Sequence, residues 1–233
     1  MIMNLKKLIY IILLIVLIAP ILLLYFSFNG NPGSKYFLKK GLNEFLETEF
    51  ANSEYRINDD GVYNFKFKNY IYSVTEFRDY DRIEYEFEVR GLIKPKEIHY
   101  YPTNVDETLQ IKFNDQITVE LKAELEKEIP GIVTYIEPFT EVLEGKYPSD
   151  TKWSHDIELI RPFDILFLLD VTTLTKEETL EAAQIIQGTL QDYPYGQARV
   201  EGYEKGIDEY SLYSIKFNHH TKLTIESISE HKD

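Results

Sequence analysis

No cysteine occurs in the 233 residues, which excludes a disulfide framework, thiol catalysis and attachment through a lipidated cysteine. Basic residues are scarce beside acidic ones, 25 Lys and Arg against 39 Asp and Glu. That balance argues against nucleic acid as a partner, because phosphate contact needs clustered cations. The short motifs that carry chemistry are also missing. There is no Walker loop, dinucleotide fingerprint, zincin pair, calcium loop or Gly-x-Ser-x-Gly elbow. No cofactor is expected. Five histidines are present without metal-ligand spacing. His219 and His220 are adjacent and on a strand would face opposite sides, and His231 falls in a charged tail. Tryptophan is reduced to Trp153, beside His155 and Asp156, where core or interface packing is the favoured role over a ligand platform.

What the chain does have is one long stretch without charge. Residues 8–28 are apolar almost throughout, and sixteen of them are Leu, Ile, Val or Phe. At about 1.5 Å per helical residue the run reaches roughly 30 Å, the thickness of a bilayer's hydrocarbon core. Pro20 is tolerable inside a membrane helix, and Tyr10 and Tyr25 lie near its ends, where amphipathic rings favour headgroup depth. A cleaved signal peptide would have a shorter apolar region and a small-x-small site. Ser27 has Tyr25 two residues before it and Gly30 has Phe28, so neither completes such a site. An uncleaved anchor is expected. Lys6 and Lys7 before the run favour a cytoplasmic N-terminus, while Lys35, Lys39 and Lys40 after it pull the other way or rest on anionic headgroups. We expect the body outside the cytoplasm.

Setting aside Lys6 and Lys7, the only charges in the first thirty residues, the chain's −14 becomes −16 for the rest. Such acidity serves solubility and would hold the body away from an anionic membrane surface. The 18 tyrosines and 14 phenylalanines suit half-buried sheets.

After the anchor, Leu38, Leu42, Phe45 and Leu46 recur at helical spacing over residues 34–50, with Ser34 as cap and Gly41 as a weak point. Tyr63, Phe65 and Phe67 alternate with polar residues and predict a strand that turns at Lys68-Asn69 into Tyr70, Tyr72 and Val74. Ile83, Tyr85, Phe87 and Val89 form the cleanest strand, and another follows near residues 97–101. A helix is predicted over 115–128 from Ile117, Leu121, Leu125 and Ile129, stopped by Pro130-Gly131. Residues 132–136 read as a strand ended by Pro138, and 145–150 as a loop. Residues 165–169 lack alternation and predict a strand buried on both faces. Thr175 to Glu178 form a capping box for a helix to about Gln191. Strands follow at 198–203 and 210–217, joined through Lys205-Gly206, and a short one at 222–228. The fold class is α+β: a transmembrane helix, then two small modules of helix plus antiparallel sheet. The expected division is 1–30 anchor with a short cytoplasmic tail, 31–112 first module and 113–233 second.

Phe28-Asn29-Gly30-Asn31-Pro32, directly after the apolar run, and the basic Ser34-Lys35 and Lys39-Lys40 beyond it resemble the YfjL-like proteins of Gram-positive bacteria. Tyr63-Asn64-Phe65-Lys66-Phe67 and Phe87-Glu88-Val89-Arg90 are similar to strands of that family. The resemblance implies a membrane-attached, extracytoplasmic α+β protein in two halves, and it implies no activity. Asn29, Gly30, Asn31 and Pro32 are the candidate site. Asn-Gly and Asn-Pro favour turns, and Pro32 discourages helix at Asn31, so together they would end one helix and aim the next.

Three function classes are weighed. The leading expectation is a non-enzymatic binding, sensing or interaction module at the cell envelope, with an envelope protein or the cell wall as partner. A protein partner could add to an exposed sheet edge such as residues 83–89. The second is an envelope hydrolase using paired carboxylates, drawn from Asp59-Asp60, Asp79 with Asp81, or Glu177-Glu178. The third is an accessory subunit of a membrane complex, held through its transmembrane helix.

Overall fold

The structure is a computed structural model that describes residues 5–51, 53–204 and 211–230. It is α+β, and it divides into two compact units between Asn104 and Val105. Each unit is considered by itself.

The first unit begins with helix α1 (Leu5–Asn29). Its apolar side chains are exposed: Ile11, Leu14, Leu17, Ile21 and Leu24 all face outward. A window of mean hydropathy 3.0 starts within it, and none of that window is buried. A soluble core helix would cover such a surface; this one is long and apolar enough to cross a membrane.

Helix α2 (Pro32–Glu49) follows at once and lies on a sheet of five antiparallel strands: β1 (Glu54–Ile57), β2 (Val62–Asn64), β3 (Asn69–Arg78), β4 (Asp81–Gly91) and β5 (Pro95–Pro102). The order is β1-β3-β4-β5, with β2 also on β3. Leu38, Leu42 and Leu46 are fully buried, each worth about 2 kcal/mol of transfer free energy, which outweighs the cost of Gly41. Gly41 has a reason to be there: a Cβ would sit 2.4 Å from the Pro95 ring. Phe50 meets Tyr85, Phe87 and Tyr100 edge-on, and Phe87 stacks on Tyr100 at 5.0 Å.

Two expectations for this unit fail. Asn31, not Ser34, caps α2; Ser34 is buried in the first turn. The strand through Tyr63 stops at Asn64, and residues 65–68 form the turn, with Lys68 at φ 54. Asn64 Oδ1 accepts from the Lys66 amide, so a side chain competes with the ladder and ends the alternation early.

The second unit contains α3 (Glu107–Glu128), β6 (Val133–Phe139), β7 (Phe163–Asp170), α4 (Lys176–Thr189), β8 (Tyr195–Tyr203), β9 (Tyr213–Phe217) and β10 (Ile228–Glu230). The sheet order is β10-β9-β8-β7-β6. β7 and β8 run parallel because α4 connects them, so the sheet is mixed rather than antiparallel throughout. Ile117, Leu121 and Leu125 of α3 share one core with Ala182, Ala183 and Ile186 of α4 and with Ile165, Phe167, Val200 and Ile215 of the sheet.

α3 starts two turns earlier than its periodicity predicts. Asp106 caps it, accepting from Leu109 N at 3.0 Å, and Leu109 and Phe113 extend the buried stripe. β6 runs through Pro138, which is admissible because β6 is an edge strand. β7 is buried on one face only: Ile165, Phe167 and Leu169 are covered, Leu166 and Leu168 half-exposed. The last strand begins at Ile228, after a tight helical turn at Ile225–Ser227. The Lys205-Gly206 connection and His231 lie outside the described residues.

One buried carboxylate holds the far end of the first sheet. Glu76 accepts from Ser53 Oγ at 2.6 Å, Arg78 Nε at 2.8 Å and the Tyr85 hydroxyl at 3.0 Å. Burial pushes its pKa up, but the Arg78 and Ser53 bonds, the Arg78 charge and Tyr85 outweigh it and leave the group below its ordinary 4.5. Its stabilising contribution is therefore complete above the unfolded value and is lost as pH falls through the lower folded one. Glu76→Ala is expected to cost about 2–3 kcal/mol, read as faster amide exchange in β3 and β4. Glu76→Gln should flatten the acid limb of that exchange.

Candidate functional site

The junction between α1 and α2 brings all four motif residues together. The last carbonyls of a helix lack partners unless something caps them. Here Asn29 Nδ2 donates to Tyr25 O at 3.0 Å, and the Gly30 amide donates to Phe26 O at 2.9 Å. Gly30 sits at φ +74, the left-handed closure that glycine favours. Asn31 then takes an extended backbone, and its Oδ1 accepts from Gly33 N at 2.9 Å. Pro32, with no amide hydrogen to satisfy, opens α2. One helix ends and the next begins across two residues.

The sheet grips this corner through tyrosines. The Tyr70 hydroxyl donates to Asn31 O at 2.8 Å and accepts from Asn31 N at 2.7 Å. Tyr72 donates to Lys35 O at 2.9 Å, one turn further along α2. Burial raises the pKa of both phenols, for Tyr70 against a partial lowering by its Asn31 bond, so both hydroxyls stay protonated. Tyr63 packs on Tyr70 with ring centroids 5.0 Å apart. A Cβ on Gly30 would lie 2.6 Å from the Tyr70 oxygen and 2.7 Å from the Tyr63 ring. These groups position a backbone; the arrangement offers structural control and no reacting pair.

A second feature lies on the open face of the β6–β10 sheet. A cleft of about 500 Å³ is bordered by Phe139, Glu141, Arg161, Asp164, Leu166 and Arg199. Arg161 grips Glu141 through two bonds of 2.7 and 2.8 Å. Arg199 lies 3.6 Å from Glu201, and Asp164 accepts from the Gln197 amide at 3.1 Å. Nothing in the sequence marked this cleft, because its residues come from three strands, two loops and α3.

Three of the carboxylates weighed for catalysis have structural partners. Asp59 accepts from the Gly61 amide, Asp60 pairs with Lys39 at 2.7 Å, and Glu178 closes the capping box with Thr175. Asp79 and Asp81 flank Tyr80 in the β3–β4 turn. Trp153 packs between Phe113 and Phe163, and His155 lies on the Tyr193 ring at 4.4 Å. His219 and His220 occupy a turn rather than a strand, with His219 on Tyr195 at 4.1 Å. Among the described residues no group of three or more His, Asp or Glu is placed to hold a metal. The tyrosines at the junction escaped the sequence reading; alternation places them on a strand but does not say which backbone they reach.

Gly30→Ala is expected to destabilise the first unit by about 1–3 kcal/mol from backbone strain, with the Tyr63 and Tyr70 contacts adding to it. Gly131→Ala is the control, since Gly131 has φ +71 but nothing within 4 Å of its would-be Cβ. A larger loss at Gly30 in thermal unfolding followed by amide exchange would isolate the close approach. Equal losses would refute it.

Neither the curated proteins nor the solved structures contain a match to this chain. Family models do match it: the YfjL-like N-terminal domain over residues 5–100 and the YfjL-like C-terminal domain over residues 116–230. With both domains present in order over most of its length, the chain belongs to the YfjL-like family.

Proposed function

We propose that this is a single-pass membrane protein, attached through residues 8–28, whose body lies outside the cytoplasm and acts without catalysis as a binding or sensing module at the cell envelope. The observation that carries the reading is α1 itself: a capped helix with its apolar side chains exposed, feeding directly into a folded body. The open cleft of the second sheet supports the binding part. It sets Phe139 and Leu166 among arginines and carboxylates, the mixture that recognises a polypeptide segment. The hydrolase alternative would need two carboxylates facing each other across a cleft with one protonated. Glu141 is engaged by Arg161 and Asp164 by a backbone amide, which favours shape-keeping over proton transfer.

Topology is tested with Ser149→Cys, a unique thiol in an exposed turn of a chain without cysteine. Labelling of intact cells by a membrane-impermeant thiol reagent is expected. Labelling only after lysis would put the body in the cytoplasm. For the cleft, a photoreactive residue at Phe139 should capture a partner, and Arg199→Ala should reduce that capture about thirtyfold, the weight of a single interface hot spot. Capture unchanged by Arg199→Ala would remove the cleft from the reading.

A further inference from the structure

The end of the first sheet nearest α1 differs in chemistry from the rest of this acidic protein. Tyr70 pairs with Val89 and Gly91 with Pro95, so the turn at residues 65–68 and the turn at residues 91–94 lie side by side at one end of the sheet. Tyr70 is also the residue that holds the junction after α1, and Phe65 meets Phe28 of α1 with ring centroids 5.8 Å apart. The tips of both turns are apolar and open: Phe65, Phe67, Leu92 and Ile93 are 58, 57, 70 and 69 % exposed. Phe37 of α2 joins them, sharing a shallow cavity with Ile93, Lys40, Glu44 and Lys94.

The turn tips carry lysines, with acids at their margins: Glu44 borders the same cavity, Asp60 pairs with Lys39 and Glu97 with Arg90. The turns at residues 65–68 and 91–94 hold Lys66, Lys68 and Lys94 and not one acid, in a chain with 39 acids. Lys66, Lys68, Lys94 and Lys96 are exposed, and Lys66 lies 5.1 Å above the Phe67 ring. Phe65 and Phe67 alternate with Lys66 and Lys68 at the first tip, so apolar and cationic side chains are presented together. Aromatic and branched side chains that enter the acyl boundary, with lysines reaching the headgroups, are the mark of an interfacial membrane contact.

We propose that this end of the first unit docks on the bilayer, with Phe65, Phe67, Leu92 and Ile93 inserted at the interface and Lys66, Lys68 and Lys94 against anionic headgroups. The inference rests on the reading of α1 as a span, and Phe28, the last apolar residue of the run, sets the depth at which Phe65 lies. It reverses the expectation drawn from overall charge that the body is held away from lipid. The body is repelled as an average, but the two turn tips carry lysines and no acid, and each lysine near such a surface favours binding about fivefold.

The test uses the full chain, purified and reconstituted alone into nanodiscs, with single nitroxides at Phe67→Cys, Ile93→Cys, Tyr80→Cys and Ile15→Cys. Tyr80 is the control, because it lies at the other end of β3, ten residues and roughly 30 Å away. In phosphatidylcholine with phosphatidylglycerol, labels at 67 and 93 should be shielded severalfold from a water-soluble nickel relaxant relative to the label at 80. Lys66→Gln with Lys68→Gln should weaken that shielding, and replacing phosphatidylglycerol by phosphatidylcholine should do the same. Labels at 67 and 93 as accessible as the label at 80, with Ile15 still buried in lipid, would overturn the docking and leave the anchor standing. A water-exposed label at Ile15 would overturn both.

Discussion

A tyrosine hydroxyl that both donates to and accepts from the Asn31 peptide ties the end of the apolar helix to the first sheet. Much in the first unit depends on it. With Asn31 held, its side chain can cap α2, Pro32 can open that helix, and the leucine stripe then falls on β3 to β5. The close approaches along this path admit no side chain at Gly30 against Tyr63 or at Gly41 against Pro95. A flexible tether would need none of this. The bonds and contacts fix the route from an exposed apolar helix into the packed first unit.

Charge is arranged with the same polarity. On the open face of the first sheet, Glu84, Glu86 and Glu88 alternate with the buried residues of β4, whereas the tips of the two turns beside α1 carry Lys66, Lys68 and Lys94 and no acid. A net charge of −14 describes neither surface. Coulomb interactions with a headgroup layer fade within about 8–10 Å at ordinary ionic strength. What matters at a membrane is therefore the charge on the nearest face, and the distant acids contribute little beyond solubility. Phe65, Phe67, Leu92 and Ile93 stand exposed at those same two turns.

The second unit shares a class with the first but solves a different packing problem. Inserting α4 between β7 and β8 makes that pair parallel and puts both helices of the unit in one core with the sheet. The other face is left half-covered, which is why Leu166 and Leu168 remain part-exposed although the run from Ile165 to Leu169 has no polar residue. The cleft on this face inherits its arginines and carboxylates from neighbouring strands and from the loop that carries Arg161.

Local patterns were readable wherever one residue's surroundings lie within a few positions of it. The apolar run, the capping box at Thr175, the alternation of β4 and the stripe of α3 all declare themselves, because helix and strand periods are properties of adjacent residues. So does the corner at Asn29 to Pro32, whose turn chemistry is local. Misreadings arose where a local rule had two answers. Phe65 and Phe67 alternate like strand residues yet stand on a turn, and Pro138 ends a central strand but not an edge one. The partners of the corner, Tyr63 and Tyr70, the two lysine-bearing apolar turns set side by side, and the cleft of the second sheet come from residues tens of positions apart. Their meeting depends on register and strand order, which are fixed by burial across the whole sheet. The amino-acid sequence by itself determined that this chain has an apolar span and an acidic α+β body; only the tertiary structure decided which surface of that body stands beside the span.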